Sequence, residues 1–463
     1  MIELAPEIST YIDDHFDRHL ELAADFVRQP SISAEGTGIT EMAGLVADTI
    51  RGLGGTASVH PTPGSPIVLG TIDAGAQKTL LIYGMYDVQP VAGEEWIAPP
   101  FGGKKVVLPE FGECIVSRGI MNSKGPLAGT FSVLESLQKT LGRLPVNVKF
   151  VVEGEEELGS KNLPDFVRSH SSELAADGAF FPFYSQDPSG KALLYLGSKG
   201  LVFIELRVRG GDWGAPRSRG VHGMNGAWLH NPAWTLVHAL STMLTPDQTR
   251  MLIEGVYADV AAPTEEDERH LQGLARTFDQ SIPLKEQDAA GFKYALSGAD
   301  LMRQFLFQPN LNIDGIASGH FAAGMKTLLP HEAIAKVDFR LVPNMDPDRV
   351  VNAMRHHLDA HGFTNVEVHA VASYPWSKSS ISDPINHALL GSYREFGCEP
   401  EIWPLIPGSA PIYLFTRELG MQFAIGGLGH GGRQHSPNEY ATVDGMRLYE
   451  KSAASFITRF AAA

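Results

Sequence analysis

The chain has 463 residues, of which 43% are hydrophobic and 19% charged, a composition typical of a globular protein with more than one domain. Its formal net charge of −16 argues against binding to nucleic acid or to an anionic membrane, because phosphate groups would be repelled. With only two cysteines, Cys114 and Cys398, we expect neither a disulfide framework nor a cysteine-rich zinc site, and we predict a cytoplasmic protein without a signal peptide or membrane span.

The first part of the chain alternates between predicted helices and strands. Apolar spacing predicts helices over residues 8–28, 40–53 and 125–141, and runs of strand-forming residues predict strands over 79–83 and 146–152. A polar segment follows each of these strands at once. This alternation indicates an α/β sheet, largely parallel, in which functional residues gather beyond the carboxyl ends of the strands.

The pattern changes near residue 200. Residues 202–209, 337–342 and 366–371 alternate, at least in part, between apolar and polar side chains, as strands exposed on one face do. A helix is predicted over residues 346–361. Strands with one exposed face and helices on the other face indicate a separate α+β domain.

These patterns predict one α/β domain with an insertion. We expect a mainly parallel sheet with helices on both faces, formed by residues 1–200 and 377–463. An α+β domain formed by residues 201–376 interrupts it.

The acidic run Glu153-Gly154-Glu155-Glu156-Glu157 is the most informative local feature. Neighbouring carboxylates repel one another, so a compact cluster after a buried strand needs a cation or a shared proton unless water solvates it. The alternative is a solvated, acidic helix N-terminus, where the helix dipole favours negative charge.

A glycine-rich loop near the C-terminus is the second feature. Residues 426–432 carry one histidine, His430, and lead into the segment His435-Ser436-Pro437-Asn438-Glu439. A single histidine in a loop is by itself a weak signal of function.

Nine segments, in order along nearly the whole chain, form one pattern: Tyr83–Pro90, Trp96–Phe101, Arg118–Gly125, Glu156–Ser160, His222–Gly226, Lys326–Pro330, Arg340–Pro343, Gly408-Ser409 and His435–Glu439. This pattern resembles the M20 family of metallopeptidases and deacylases, in particular its dipeptidase-like branch. The resemblance implies an α/β catalytic domain, an inserted lid and dimerisation domain, and a homodimer.

The resemblance also implies two metal ions, usually zinc, held by two histidines and three carboxylates, which activate a bridging water. Met85 stands where the family has a histidine, and Asn122 stands where it has a bridging aspartate. A thioether and a neutral amide suit zinc poorly. A further aspartate is expected near Phe183 or Tyr184, and the nearest candidate is Asp187. We therefore expect no metal or a single divalent ion.

The remaining site residues follow from the resemblance. Glu156 matches the general base, whereas Glu157 and His435 match metal ligands. In the lid, Val221 aligns with the family's catalytic histidine, and His222 beside it is our candidate for that role. The positions that hold the carboxylate of the substrate are matched by Arg340, Gly408 and Ser409.

Substitute ligands and structural roles are both open. The residues that could replace missing ligands are Glu153, Glu155, Asp187 and His430. Asp87 would remain without the histidine that it orients in the family. Alternatively, Met85 packs at a strand end, Asn122 caps the helix that follows it, and Arg340 is an ion-paired strand residue.

Three hypotheses on function follow. The first is a hydrolase of an amide or peptide bond in a small carboxylate-bearing substrate, of the dipeptide or N-acyl amino acid type, with Glu156 as base and a reduced or absent metal site. The second is a pseudoenzyme that binds a peptide or amino-acid derivative. The third is a two-metal peptidase with substitute ligands.

Overall fold

The structure is a computed structural model that describes residues 3–463, with the side chain of Glu286 left aside. Its helices, in chain order, are α1 (Pro6–Arg28), α2 (Ile39–Gly52), α3 (Lys124–Leu141), α4 (Leu163–Ser169), α5 (Ser171–Leu174), α6 (Pro232–Ser241), α7 (Glu265–Thr277), α8 (Ser281–Glu286), α9 (Gly298–Phe307), α10 (Pro347–Ala360), α11 (Pro384–Glu395) and α12 (Val443–Ala462). Short 3-10 helices span Ser33–Glu35, Glu156–Leu158 and Gly223–Ala227, and Leu414–Glu418 form a π-helical turn.

The strands complete the set of elements. In chain order they are β1 (Thr56–His60), β2 (Ile67–Ile72), β3 (Thr79–Met85), β4 (Lys104–Leu108), β5 (Gly112–Val116), β6 (Asn147–Glu153), β7 (Gly178–Pro182), β8 (Leu193–Tyr195), β9 (Gly197–Ser198), β10 (Gly200–Arg209), β11 (Val221–His222), β12 (Asn310–Ser318), β13 (Leu328–Leu329), β14 (Glu332–Leu341), β15 (Val366–Tyr374), β16 (Ser377–Lys378), β17 (Glu401–Trp403), β18 (Phe423–Gly426), β19 (Gly431–Gly432) and β20 (Tyr440–Thr442).

The elements predicted from the sequence are confirmed. Helix α1 buries Ile8, Ile12, Phe16 and Leu20, which recur every four residues and so form one apolar face. Pro126 lies in the first turn of α3, where its missing N–H costs nothing. The alternation that predicted strands near residue 200 corresponds to β10, whose side chains are buried at every second position.

The chain folds into two compact units. The first unit comprises residues up to Leu196, Ser379–Trp403 and Leu414–Ala463. The second unit comprises Gly197–Lys378 and Pro404–Tyr413. The sequence analysis had placed residues 404–413 in the α/β domain, whereas in the structure they pack with the second unit.

The first unit is built on an eight-stranded sheet with the order β1-β2-β6-β3-β7-β18-β8-β17. The central strands β6, β3, β7 and β18 run parallel to one another, and antiparallel pairs flank them. Helices α1, α3, α11 and α12 pack on one another, and α2 packs on β1 and β2. The mixed α/β fold with a mainly parallel sheet is therefore confirmed. A second, antiparallel sheet has the order β19-β20-β5-β4.

The second unit is built on a four-stranded antiparallel sheet with the order β12-β14-β10-β15. Helices α6 and α10 pack against this sheet, over a core that includes Val202, Ile204, Val337 and Phe339. The opposite face of β14 carries Lys336, Asp338 and Arg340, because side chains alternate along a strand. This is the α+β arrangement that the sequence predicted.

Among the described residues, no helix is both long and apolar enough to cross a membrane.

Candidate active site

The site in the first unit begins where two parallel strands end side by side. Met85, the last residue of β3, pairs in register with Glu153, the last residue of β6. The Tyr86 N–H donates to the Glu153 carbonyl at 2.9 Å, so the loops that follow both strands start together. Met85 is only 2% exposed, which supports the interpretation that it is a packing residue.

Asp87 joins these two loops. Its carboxylate accepts hydrogen bonds from the backbone N–H groups of Glu156 at 3.1 Å and Glu157 at 3.0 Å. Asp87 was expected to remain without the histidine that it orients in the family, and in the structure the backbone N–H groups of the acidic run are its partners instead. Burial raises the pKa of Asp87 to about 7, and the charge of Glu157 adds to this effect.

The Glu157 carboxylate lies at the centre of a polar cluster. Gln89 donates to its Oε2 at 2.8 Å, and the Asn122 amide donates to its Oε1 at 2.9 Å. His435 places Nε2 3.1 Å from the same Oε1. This hydrogen bond to Glu157 raises the pKa of His435, so the imidazolium form is favoured.

Asn122 is oriented by its own contacts. Its Oδ1 accepts from the Ser123 hydroxyl at 3.1 Å, which directs Nδ2 towards Glu157 and to 3.0 Å from His435 Nε2. The alternative that Asn122 caps the next helix is wrong, since Ser123 occupies the N-cap of α3 and no side chain caps this end.

Two buried residues with no role predicted from the sequence, Arg118 and Glu439, position the backbone around Asn122. Glu439 accepts from the backbone N–H groups of Met121 at 3.0 Å and Asn122 at 2.9 Å. Arg118 donates to Glu439 and to Glu94, so its buried charge is balanced by two carboxylates. Both residues fall inside the matched motifs, and their polar character within buried segments was the available signal.

Glu156 differs from the other carboxyl groups of the acidic run. Among residues 3–463, no hydrogen-bond donor contacts the Glu156 carboxyl, although its backbone N–H is held by Asp87. Burial raises the pKa of Glu156 to about 8, with the charges of Glu157 and Asp87 contributing. A carboxyl group in this state exchanges a proton readily near neutral pH.

The remaining carboxyl groups of the run are structural. Glu153 accepts from the Tyr83 hydroxyl at 2.7 Å and the Ser160 hydroxyl at 2.8 Å. Glu155 accepts from the Asn162 amide at 2.7 Å. They are 1% and 5% exposed, so the alternative of a solvated acidic helix end is wrong.

The other two proposed substitute ligands also have structural contacts. Asp187 Oδ1 accepts from the Ser189 and Lys191 backbone N–H groups and closes its own turn. His430 places its ring nitrogens 2.8 Å from the Gln186 carbonyl and 3.0 Å from the Tyr440 hydroxyl. Neither residue joins the polar cluster around Glu157.

The donor set of this cluster does not fit a two-zinc centre. Asn122 presents an amide N–H to Glu157, and both carboxylate oxygens of Asp87 accept backbone N–H groups. Over residues 3–463, no group of three or more His, Cys, Asp or Glu side chains is placed to hold a metal ion. Hydrogen-bond donors of the protein thus contact both oxygens of Glu157, the carboxylate that matches a metal ligand of the family.

The predicted carboxylate-binding residues lie in the second unit. The Arg340 guanidinium donates from Nε to Asp338 at 3.0 Å and from Nη1 to the Ser409 hydroxyl at 3.2 Å. The structure therefore brings Arg340 and the Gly408-Ser409 turn together, as the resemblance implied. The ion pair with Asp338 is the strand contact that the alternative interpretation proposed.

His222 also belongs to the second unit, on the exposed strand β11. Its Nδ1 accepts from the Met224 N–H at 3.2 Å, and Nε2 lies 3.1 Å from the Thr327 hydroxyl. Because Nδ1 is an acceptor, the neutral ring carries its proton on Nε2. Within residues 3–463, no hydrogen bond joins His222 to Arg340 or Ser409.

The fold and the strand-end cluster define an α/β protein with an inserted α+β unit. Its sequence matches the profile of "Peptidase family M20/M25/M40" over residues 81–459. The chain therefore belongs to this family, which confirms the predicted class of M20-like amidohydrolase or peptidase.

Curated relatives of similar sequence are dipeptidases. The chain is 28% identical to the Cys-Gly metallodipeptidase of Candida albicans, over 92% of this chain and 93% of the relative. It is 25% identical to the Beta-Ala-His dipeptidase of Mus musculus, over 96% of this chain and 94% of the relative.

Two solved structures are similar to this chain, and the first of them supports the assignment to the M20 family. The M20 family metallo-carboxypeptidase Sso-CP2 from Sulfolobus solfataricus superimposes with a TM-score of 0.88 at 32% identity, covering 96% of this chain and 99% of that one. The di-peptidase Dug1p from Saccharomyces cerevisiae shares the fold, with a TM-score of 0.82 at 21% identity over 99% and 98% of the two chains.

Proposed function

We propose that this protein hydrolyses the amide bond of a small substrate that carries a carboxylate, of the dipeptide or N-acyl amino acid type, with Glu156 as general base. The similar Cys-Gly and Beta-Ala-His dipeptidases support the substrate class, since each is named for a dipeptide. Their names also include a metallodipeptidase, whereas we propose that this chain works with no metal or with a single divalent ion.

The observation that carries this proposal is the state of the Glu156 carboxyl. Within residues 3–463, it is the one carboxyl of the acidic run without a hydrogen-bond donor, whereas Glu153, Glu155 and Glu157 each have at least one. Asp87 fixes the backbone beneath it. A carboxylate that is positioned but not engaged is suited to take a proton from water.

The reaction then proceeds as a base-assisted hydrolysis. Glu156 removes a proton from water while the water oxygen bonds to the carbonyl carbon of the amide. The carbon–nitrogen bond breaks, and Glu156 returns the proton to the leaving nitrogen, which gives a carboxylic acid and an amine.

The second unit supplies the residues for binding. Arg340 and Ser409, beside Gly408, hold the carboxylate of the substrate, because a guanidinium forms strong charge-assisted hydrogen bonds with carboxylates. His222 is the proposed donor to the oxyanion, since its hydrogen-bonding pattern places the proton on Nε2.

A substrate screen with a Glu156→Gln variant tests the proposal. Dipeptides and N-acyl amino acids are incubated with the full chain, and release of the free amine is measured by mass spectrometry. We expect the variant to lose roughly 10²–10⁴-fold in rate, the usual contribution of a general base, while retaining the fold.

The matched control is Glu41→Gln, the same chemical change at an exposed position on α2. It should hydrolyse the same substrates at the wild-type rate. Equal turnover by wild type and Glu156→Gln on every responsive substrate would contradict the role of Glu156.

The neutral residues Met85 and Asn122 favour a second candidate, a pseudoenzyme that binds such molecules without turnover. Metal analysis before and after incubation with zinc or manganese separates the candidates further. We expect at most one tightly bound ion per chain, because Gln89 and Asn122 already donate to both oxygens of Glu157. Two tightly bound ions would instead support the two-metal peptidase with substitute ligands.

The quaternary structure and location are also part of the proposal. By resemblance to the family, we propose a homodimer formed through the inserted unit. The small number of cysteines, with Cys114 and Cys398 both unpaired, supports a cytoplasmic location. Light scattering of the purified chain tests the dimer.

A further inference from the structure

Lys199 in the second unit is a buried cation outside the residues assigned so far. It is 3% exposed and immediately precedes β10. Its Nζ donates to the Gln308 carbonyl at 2.8 Å, and no carboxylate of residues 3–463 forms an ion pair with it. Burying a cation without a counter-ion is costly, and such groups are common at binding sites for anions.

Lys199 lies at the same end of the sheet as Arg340. In the antiparallel register, Arg340 pairs with Leu201 of β10 and with Asn310 of β12. Lys199 comes two residues before Leu201, and its partner Gln308 comes two residues before Asn310. Both cations therefore flank the start of β12.

The segment Pro404–Tyr413 connects the two cations. The Lys199 backbone N–H donates to the Ile406 carbonyl at 3.1 Å, and Ser409, three residues later, accepts from Arg340 at 3.2 Å. Burial, together with the smaller effect of the nearby charge of Arg340, lowers the pKa of Lys199 to about 7. A bound carboxylate would relieve both effects, because it supplies the missing opposite charge.

A cavity of about 630 Å³ opens beside Lys199 within the second unit. The polar residues of its lining are Lys199, Gln308 and Asn310, together with Gln287, Gln304 and the exposed Lys293. Its walls are mainly apolar, and two of their aromatic rings, those of Phe292 and Phe305, are 37% and 46% exposed. The other large apolar walls are Phe278, Leu284, Tyr294 and Leu301.

We propose that this cavity is a specificity pocket for a large apolar or aromatic group attached to the carboxylate that Lys199 and Arg340 bind together. The volume is within the range of small-molecule sites, and a single buried cation at the end of an apolar cavity suits an anion with an apolar substituent. As a substrate pocket it rests on the proposed function and restricts the substrates to amides of apolar amino acids.

Binding measurements on the full chain test this inference without requiring turnover. Isothermal titration calorimetry compares N-acetylphenylalanine with N-acetylglycine, which lacks the apolar group, and with N-acetylphenylalanine amide, which lacks the carboxylate. We expect N-acetylphenylalanine to bind at least about tenfold more tightly than either, since each comparator loses one of the two contacts.

Three variants locate the site. Lys199→Met should weaken binding of N-acetylphenylalanine about tenfold or more, through loss of a charged hydrogen bond. Ala289→Trp, at an exposed position on the cavity wall, should weaken binding by filling the cavity. The control Lys336→Met removes an exposed lysine from the same sheet and should leave the affinity unchanged.

Equal affinity for the three ligands, no binding of any of them, or wild-type affinity in both Lys199→Met and Ala289→Trp would overturn the inference. Selective binding of N-acetylphenylalanine without hydrolysis of its acetyl amide bond, or of that bond in similar N-acyl amino acids, would support the pocket and contradict only the proposed hydrolysis.

Discussion

The two regions that carry the predicted site residues, one in each unit, carry charges of opposite sign. In the first unit, the strand-end cluster gathers carboxyl groups and satisfies them with neutral N–H donors from Gln89, Asn122 and the backbone. In the second unit, the buried Lys199 lines an apolar cavity, and Arg340 pairs with Leu201, two residues further along the chain. We propose that the second region binds a carboxylate, whereas the first region holds at most one metal ion.

Asn122 shows how an amide at the position of the family's aspartate affects the strand-end cluster. An amide in place of an aspartate removes one negative charge and adds a donor, and that donor contacts Glu157 at 2.9 Å. The donor from Asn122 thereby stabilises the cluster without a metal ion, because like-charge repulsion is reduced and a lone pair is satisfied.

The largest effect that would sharpen this comparison is expected at Arg340. Arg340→Met removes the charged partner of the substrate carboxylate, so kcat/KM should fall roughly 10–100-fold, mainly through KM, as is usual for a charged hydrogen bond. Steady-state kinetics on any substrate found in the screen measure this effect.

The control for Arg340 is Arg349→Met, which removes an exposed arginine of the same unit paired with Asp259. It should leave kcat/KM unchanged. An equal loss in Arg340→Met for substrates with and without a free carboxylate would show that Arg340 supports the fold rather than binding.

A smaller effect is expected when a negative charge is placed at position 122 in the strand-end cluster. Asn122→Asp exchanges a donor to Glu157 for a second carboxylate, so the free energy of unfolding at pH 7 should fall by about 1–3 kcal/mol. Urea unfolding monitored by circular dichroism measures the change. The control is Asn231→Asp at the N-cap of α6, where aspartate caps equally well and stability should be nearly unchanged.

Repeating the measurement on Asn122→Asp with zinc sharpens the comparison further. Stabilisation by zinc in this variant, but not in wild type, would mean that the asparagine is what excludes the metal. No stabilisation would place the obstacle at Met85 as well.

The smallest effect concerns the pH dependence of stability. Burial raises the pKa of Glu153 well above its ordinary value, so the folded state keeps a proton that the unfolded chain releases above about pH 4.5. Stability of the wild type is therefore lost as pH rises from that value towards the raised pKa, by at most about 1.4 kcal/mol per pH unit.

Glu153→Gln removes this titration while its side-chain oxygen still accepts from Tyr83 and Ser160. The melting temperature of the variant relative to wild type should thus increase between pH 5 and pH 8. Glu113→Gln, at an exposed position, is the control and should show no such trend. A constant difference for Glu153→Gln across this range would mean that Glu153 is ionised in the folded protein.

Much of the fold followed from local patterns. The apolar spacing of α1 and the strand-forming runs of β3 and β6 depend on neighbouring residues, so their positions were predicted to within a few residues. The acidic run was correctly placed at a strand end, because parallel strands direct their carboxyl ends to one edge of the sheet.

The hydrogen-bond partners of the site residues could not be predicted from the sequence. Asp87 was expected to lack only its histidine partner, and the sequence did not reveal that it accepts from the backbone of Glu156 and Glu157, about seventy residues away. Backbone N–H groups carry no sequence signal, so no motif could have shown this contact. The same holds for the backbone N–H groups of Met121 and Asn122, which donate to Glu439.

By itself, the sequence determined the helices, the strands and the family, since these depend on residue type and spacing. Only the tertiary structure decided which carboxyl of the acidic run is unengaged, and that Pro404–Tyr413 joins the second unit and connects Lys199 with Arg340. These features depend on contacts between residues far apart in the chain, and their geometry is fixed only when the strands and loops pack together.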